Sequence, residues 1–299
     1  MSQIINKFLF NKEAALSNLV DIIKSVDGVK SIVASGSYSL DLSDNMSDVD
    51  LIIFYDECNP INVKGLNSIL CSIGDFKNPI VSQIGDWDPF LNGGAWFVYQ
   101  GTNIDLYYCN INILEATISN CKQGNISFND VNMERIVPFG YYNFYLLGMV
   151  KKMVSLSDPN GINKYLKKKV KTYPKLMKKK IINLFLNDAH HSLMHAKKAS
   201  VRKNLHIVSG ALLRLISDLI KVLYALNETY MIDEKHYQAD FFYFKKKPVD
   251  FFKRYDYIIT TLKENSNFSC GVAYNLLGDV TILCKKYFSL KYYNYSRPT

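Results

Sequence analysis

Residues 31–57 read SIVASGSYSLDLSDNMSDVDLIIFYDE, and this stretch decides the fold. An apolar run, Val29–Ser35, ends at a Gly36-Ser37 turn. Ten polar-rich residues later, Asp48-Val49-Asp50 opens a second apolar run, Leu51-Ile52-Ile53-Phe54. Side chains alternate along a strand, so Asp48 and Asp50 share one face and Val49 takes the other. Two carboxylates a few ångströms apart repel each other and stay ionised together most readily around a shared cation. Strand, turn and acid-bearing strand therefore point to phosphoryl chemistry on a divalent metal.

Working outward, residues 12–26 space Leu16, Leu19, Val20, Ile22 and Ile23 as an amphipathic helix, and a second helix is expected over Val63–Ile73. A short helix start is expected after Gly36-Ser37. The stretch GGAWFVYQGTNIDLYYCNI reads as two strands joined at Gln100-Gly101-Thr102, with Asp105 on the second. If that strand lies beside the Asp50 strand, Asp48, Asp50 and Asp105 converge at one end of a sheet. Such an oxygen-ligand set suits two Mg²⁺ ions shared with substrate phosphates. Gly36 would let backbone amides approach a phosphate, and Ser37 adds a hydroxyl donor.

From about residue 135 the texture turns helical. Helices are expected over Lys175–Lys198, over Asn204–Asn227 with its stripe Leu205, Val208, Leu212, Leu215, Leu219, Leu223 and Leu226, and from Gly271 to about Leu290. Arg214, in mid-stripe, would reach Asp218 at i+4 or a cleft. The fold class is thus α+β: a mixed sheet flanked by helices over residues 1–134, then an all-helical domain over 135–299.

The pattern of residue spacings resembles the G-S-x(9)-S-D-x-D-L signature of the polymerase-β-like nucleotidyltransferases, on Gly36-Ser37 and Ser47-Asp48-Val49-Asp50-Leu51. That superfamily includes the aminoglycoside and lincosamide nucleotidyltransferases. The resemblance extends to a group of two-domain bacterial nucleotidyltransferases through Gly85-Asp86-Trp87, Gly93-Gly94-Ala95-Trp96, Ile104-Asp105-Leu106-Tyr107, Pro138-Phe139-Gly140, Leu156–Gly161, Tyr173-Pro174 and Ala225–Tyr230. It implies Asp48, Asp50 and Asp105 as metal ligands, Asp105 being either a third ligand or the base for the acceptor's proton. It implies Gly36, Ser37 and Ser47 at the nucleotide, and makes Lys235 a candidate triphosphate contact, the alternative being a solvated loop lysine. The activity implied is transfer of a nucleoside monophosphate from an NTP to a hydroxyl, with two Mg²⁺ ions and release of pyrophosphate. Two departures stand out. Leu40 and Asp41 occupy positions where relatives often carry Arg and Gly, and Tyr107-Tyr108-Cys109-Asn110 follows Asp105 where an Arg is common.

The acceptor stays open: a small antibiotic-like molecule, or a tRNA or protein as for toxin-type enzymes. A protein that binds nucleotide without transferring it is a third reading. An acceptor site is expected between the domains, where clefts tend to form. The formal charge of +9, with lysine runs at 167–169, 178–180 and 245–247, fits an anionic ligand or solvated helix surfaces. Phe241–Phe244 before the third run reads as a stacking surface for single-stranded nucleic acid, or as core beside a turn. His191 and His195 have the spacing of a helical metal pair, but no Cys or carboxylate completes a set. The six cysteines form no C-x-x-C pair, which points to reduced thiols in the cytoplasm. No apolar stretch approaches the ~20 residues that span a bilayer. Nothing in the sequence specifies an oligomeric state.

Overall fold

A computed structural model describes residues 14–36, 48–75, 78–129, 141–235 and 237–286. The chain forms two compact units. The first takes in the chain through Ser119 and Leu146–Thr172; the second takes in Asn120–Phe128 and the chain from Tyr173 onward.

The first unit is built on a six-stranded mixed sheet. Its strands are β1 (Ser31–Ala34), β2 (Val49–Tyr55), β3 (Ile80–Val81), β4 (Gly94–Tyr99), β5 (Thr102–Asn110) and β8 (Val154–Ser157), in the order β3-β4-β5-β2-β1-β8. A two-stranded ribbon, β6 (Phe128–Asn129) with β7 (Tyr141–Tyr142), lies outside it. Strands β2 and β5 run parallel, and every other pairing in the six-stranded sheet is antiparallel. A parallel pair needs a long crossover, and α2 (Val63–Ile73), β3 and β4 occupy it. The β4–β5 hairpin turns on Gln100 and Gly101, both at positive φ (48° and 75°), which gives the tight turn whose twist matches its strands. Asp75 holds this turn by accepting from the amides of Gln100 (3.0 Å) and Gly101 (2.6 Å).

One face of the sheet is fully apolar. Ile32, Ala34, Val49, Leu51, Ile53, Ala95, Ile104 and Leu106 form a core with Leu16, Leu19, Val20 and Ile23 of α1 (residues 14–23) and with Leu66 and Leu70 of α2. Asn62 caps α2 by accepting from Gly65 N at 3.0 Å. This is the period-two pattern read from the sequence. Its counterpart face carries Asp50, Ile52 and Phe54, and is buried at Ile52 and Phe54 but half-exposed at Asp50.

The texture from residue 135 onward reads as helix throughout, yet Val154–Ser157 pairs with β1. Four residues of alternating Val-Ser-Leu-Ser carry too short a period to register against the helical signal around them. The expected boundary at 134/135 falls among residues outside the description, and the first unit draws in Leu146–Thr172 beyond it. There Asn163, at the start of α5 (Ile162–Lys169), accepts from Ser31 Oγ at 2.9 Å and donates to Ser155 Oγ at 2.8 Å, tying α5 to the sheet edge.

The second unit is helical. Helices α6 (Lys175–Val201) and α7 (Leu205–Leu226) are joined by a short turn and packed along their apolar stripes, with α8 (Tyr237–Tyr243), α9 (Phe251–Thr260) and α10 (Ser266–Lys285) beside them. Asn204 and Asn227, the expected bounds of the clearest helix, are its caps. The last helix starts earlier than Gly271 because Asn265 caps it, accepting from Phe268 N at 3.0 Å. Two more helices, α3 (Ile111–Lys122) and α4 (Tyr145–Lys152), follow β5 and β7. No helix among the described residues is long and apolar enough to cross a membrane, and all six cysteines are free.

Candidate active site

The acid-bearing face of the sheet is organised in rows set by strand register. Asp50 lies directly opposite Asp105 across the parallel β2–β5 pair, and Asp105 lies opposite Trp96 across β5–β4. Register partners project to the same face, so Asp50, Asp105 and Trp96 form one row, with strands about 4.8 Å apart. Asp50 and Asp105 are both half-exposed. Asp48 stands just ahead of β2, exposed, and accepts from Asn103 Nδ2 at 2.9 Å. Asn103 was not foreseen; its only sequence signal is its place two residues before Asp105. The Tyr107 hydroxyl donates to Asp105 Oδ2 over a long 3.5 Å.

Gly36 sits at φ +58°, and a Cβ there would come within 1.8 Å of Asp50 Oδ2. Ser35 N donates to Asp50 O at 2.9 Å. The close approach that requires a glycine here is therefore to the Asp50 carboxylate: the end of β1 is laid against it. The short helix expected after Gly36-Ser37, together with Ser37, Ser47, Leu40 and Asp41, lies outside the described residues. Among the described residues, no group of three His, Cys, Asp or Glu side chains is gathered closely enough to hold a metal ion.

The Gly85–Trp96 motif is one local packing arrangement. Gly85 lies at φ +95°, and Asp86 Oδ2 accepts from Gln83 N at 2.6 Å. The Trp87 ring lies across Gly94, where a Cβ would meet Cζ3 and Cη2 at 2.6 Å. Trp87 stacks on Trp96 (centroids 4.8 Å, 25° between planes) and meets Tyr107 edge-on at 5.9 Å.

In the second unit the sequence-level candidates divide. Lys235 is exposed, and its backbone amide donates to Asp233 Oδ1 at 2.7 Å. Its neighbour Glu234 is engaged in a buried network that spacing did not reveal. Glu234 Oε1 accepts from Lys221 Nζ (2.6 Å), Ser217 Oγ (2.7 Å) and Tyr145 Oη (3.3 Å), while Lys221 Nζ also donates to Ser217 Oγ. The Lys221 side chain is fully buried. Arg214 pairs with Asp188 at 3.7 Å rather than with Asp218. Burial pushes the Asp218 carboxyl up to about 7, with Lys221 opposing and Asp188 adding to the shift. His191 and His195 face each other with ring centroids 6.0 Å apart.

Each lysine run gives up members to structure. Lys169 pairs with Glu115 at 3.0 Å and Lys178 with Glu228 at 2.7 Å. Lys247 Nζ donates to Phe241 O at 2.5 Å. Phe241 and Phe244 are core, whereas Phe242 and Tyr243 are exposed. A concavity of about 440 Å³ lies beside them, lined by Asn227, Thr229, Asp240, Tyr243, Phe244, Lys245 and Lys246.

Residues 16–78 match the family model described as "Nucleotidyltransferase domain", a span that holds Gly36, Asp48 and Asp50 and stops short of Asp105. No curated protein matches the chain. Among solved structures, a nucleotidyltransferase-like protein from Exiguobacterium sibiricum 255-15 aligns at a TM-score of 0.45 and 12% identity, covering 92% of this chain and 78% of that one.

Proposed function

We propose that the protein transfers a nucleoside monophosphate from an NTP to an acceptor hydroxyl, releasing pyrophosphate in a magnesium-dependent reaction, a reading supported by the match of residues 16–78 to a nucleotidyltransferase family model. One observation carries this reading: the in-register, half-exposed Asp50 and Asp105 on adjacent parallel strands, with the Gly36 turn laid against Asp50. An all-oxygen set of carboxylates suits Mg²⁺, which keeps waters and phosphates among its ligands. Asp48, Asp50 and Asp105 are the residues that would hold it. Bound there, magnesium would neutralise the triphosphate and stabilise both attacking and leaving oxygens.

The chain's own groups do the rest. Gly36, with Ser37 and Ser47, would orient the phosphates at the β1 edge of the acid row. Lys235 would add a cation for the triphosphate. Asp105, farthest from that edge, would accept the hydroxyl proton or serve as the third ligand. As the acceptor oxygen bonds to the α-phosphorus, the bond to the β-phosphate oxygen breaks and pyrophosphate leaves. The acceptor is a small hydroxyl compound or a tRNA or protein. Six free thiols accord with a cytoplasmic setting.

The second reading is a nucleotide-binding protein without transfer. One assay separates the two. The protein is incubated with α-labelled NTPs, Mg²⁺ and cell extract, and label is sorted by size. Transfer that stops with EDTA and in Asp50→Asn supports the enzyme, with label on RNA, protein or small molecules naming the acceptor class. Bound NTP with no label moved selects the binding protein.

A further inference from the structure

The chain has two tryptophans, and both are in one stack beside the acid row. Tryptophan and tyrosine bury most of their surface but are seldom sealed completely. Trp87, Trp96 and Tyr107 are all half-exposed. Their arrangement is built in. Gly94, in register with Tyr107, leaves the space that the Trp87 ring fills, and Trp96 is the register partner of Asp105. The three rings therefore form a shelf that adjoins Asp105 directly, with the Tyr107 hydroxyl reaching its carboxylate.

The strand order fixes which side of the chemistry this shelf serves. Across β4, β5, β2 and β1 the row runs Trp96, Asp105, Asp50 and then the Gly36 turn at the end of β1. The shelf thus lies about 10 Å, two strand spacings, from the Asp50 strand, on the side away from the phosphate turn. In-line displacement brings the attacking hydroxyl from the side opposite the departing pyrophosphate. We propose that Trp87, Trp96 and Tyr107 form the acceptor subsite, and that the acceptor enters by stacking a planar heterocycle that carries its hydroxyl close by, as a nucleoside does. Flat, near-parallel indoles suit a π-face better than a puckered saturated ring. The inference rests on the nucleotidyltransferase reading and deepens it.

Tryptophan emission reads this site directly. Wild-type protein is saturated with Mg²⁺ and a non-hydrolysable NTP analogue, then titrated with adenosine, with a short RNA ending in adenosine, or with a saturated aminocyclitol. Saturable quenching by adenosine in the presence of the analogue is expected. Its affinity should fall ~10–100-fold in Trp96→Leu, where Trp87 remains as reporter, and in Trp87→Phe, where Trp96 remains. Tighter quenching by the RNA than by adenosine would assign the ring to an RNA end, and the reverse to a free nucleoside; either supports the shelf. Displacement of adenosine by the analogue would make the shelf a base site for the NTP and overturn the proposal, as would quenching by the aminocyclitol instead. Calorimetry separates the two layers. A protein that binds the analogue but not adenosine or RNA defeats the shelf alone, whereas one that binds no analogue defeats the nucleotidyltransferase reading and the shelf with it.

Discussion

The two units hold ionisable groups in opposite ways. In the first, Asp50 and Asp105 stand side by side and half-exposed on a sheet face, held in register by the β2–β5 pairing. In the second, Lys221 is sealed from solvent with its ammonium shared between Glu234 and Ser217, Glu234 takes a further bond from Tyr145, and the Tyr142 and Phe185 rings lie 5.8 and 5.4 Å away. The buried network is complete and spends its charge on fixing the loop before α8 to α7. The acid row stands half-exposed, within reach of solvent and solutes. The contrast teaches that charge alone marks neither function nor structure; the degree of burial and the sign of the neighbours separate them.

The comparison is broken most directly by removing its carboxylates. Asp50→Asn or Asp105→Asn should lower nucleotide transfer at least ~1,000-fold, a loss of about 4 kcal/mol of transition-state stabilisation, while the cooperative unfolding transition is retained. Lys221→Met should do the reverse, costing about 3–5 kcal/mol in denaturant unfolding because Glu234 is left buried without its partner. Adding Glu234→Leu should recover most of that loss.

Asp218 sharpens the same contrast through pH. Its carboxyl is raised to about 7 in the folded chain from an ordinary value of 3.8, so the native state holds a proton that the unfolded chain has lost. Its contribution is fully present below about pH 4 and fades as pH rises through 7. Asp218→Asn should match wild type at pH 4 and exceed it by on the order of 3 kcal/mol at pH 8, read from urea midpoints across that range.

Gly36→Ala introduces a methyl where the Asp50 carboxylate lies. Its transfer rate should fall ~100-fold, the scale of a 1 Å displacement at a catalytic group, with the larger share in kcat. Lys235→Ala should be mildest, raising KM for NTP by ~3–10-fold, with kcat nearly unchanged and the effect shrinking in high salt.

The legible parts of the molecule were those written in short-range periods. The apolar run after Asp50 announced the strand, the strand period of two announced the face of Asp50, and the three-four spacing of Leu205–Leu226 announced α7. Parallel pairing of β2 with β5 was expected only as a condition, because a register between strands some fifty residues apart leaves no local trace. The Lys221–Glu234 pair was invisible for the same reason: a lysine in mid-helix looks solvated until the loop carrying Glu234 is folded over it. Gly36 was legible as a required glycine, but for a phosphate; that its neighbour is Asp50 emerges only once β1 and β2 are paired. Asn103, too, acquires meaning only when β5 is laid beside Asp48.

The parallel β2–β5 pairing also carries a consequence in time. Hairpins such as β4–β5 close locally, but β2 meets β5 only after the whole crossover from Tyr55 to Thr102 has been gathered, the slow kind of contact in folding. A slip of one residue in that register would send Asp105 into the apolar core and Ile104 or Leu106 out beside Asp50. The acid row is thus a proofreader of its own assembly. A chain still unfinished or misaligned at this seam has no paired carboxylates, and under the proposed function it would not consume nucleotide before its sheet is complete.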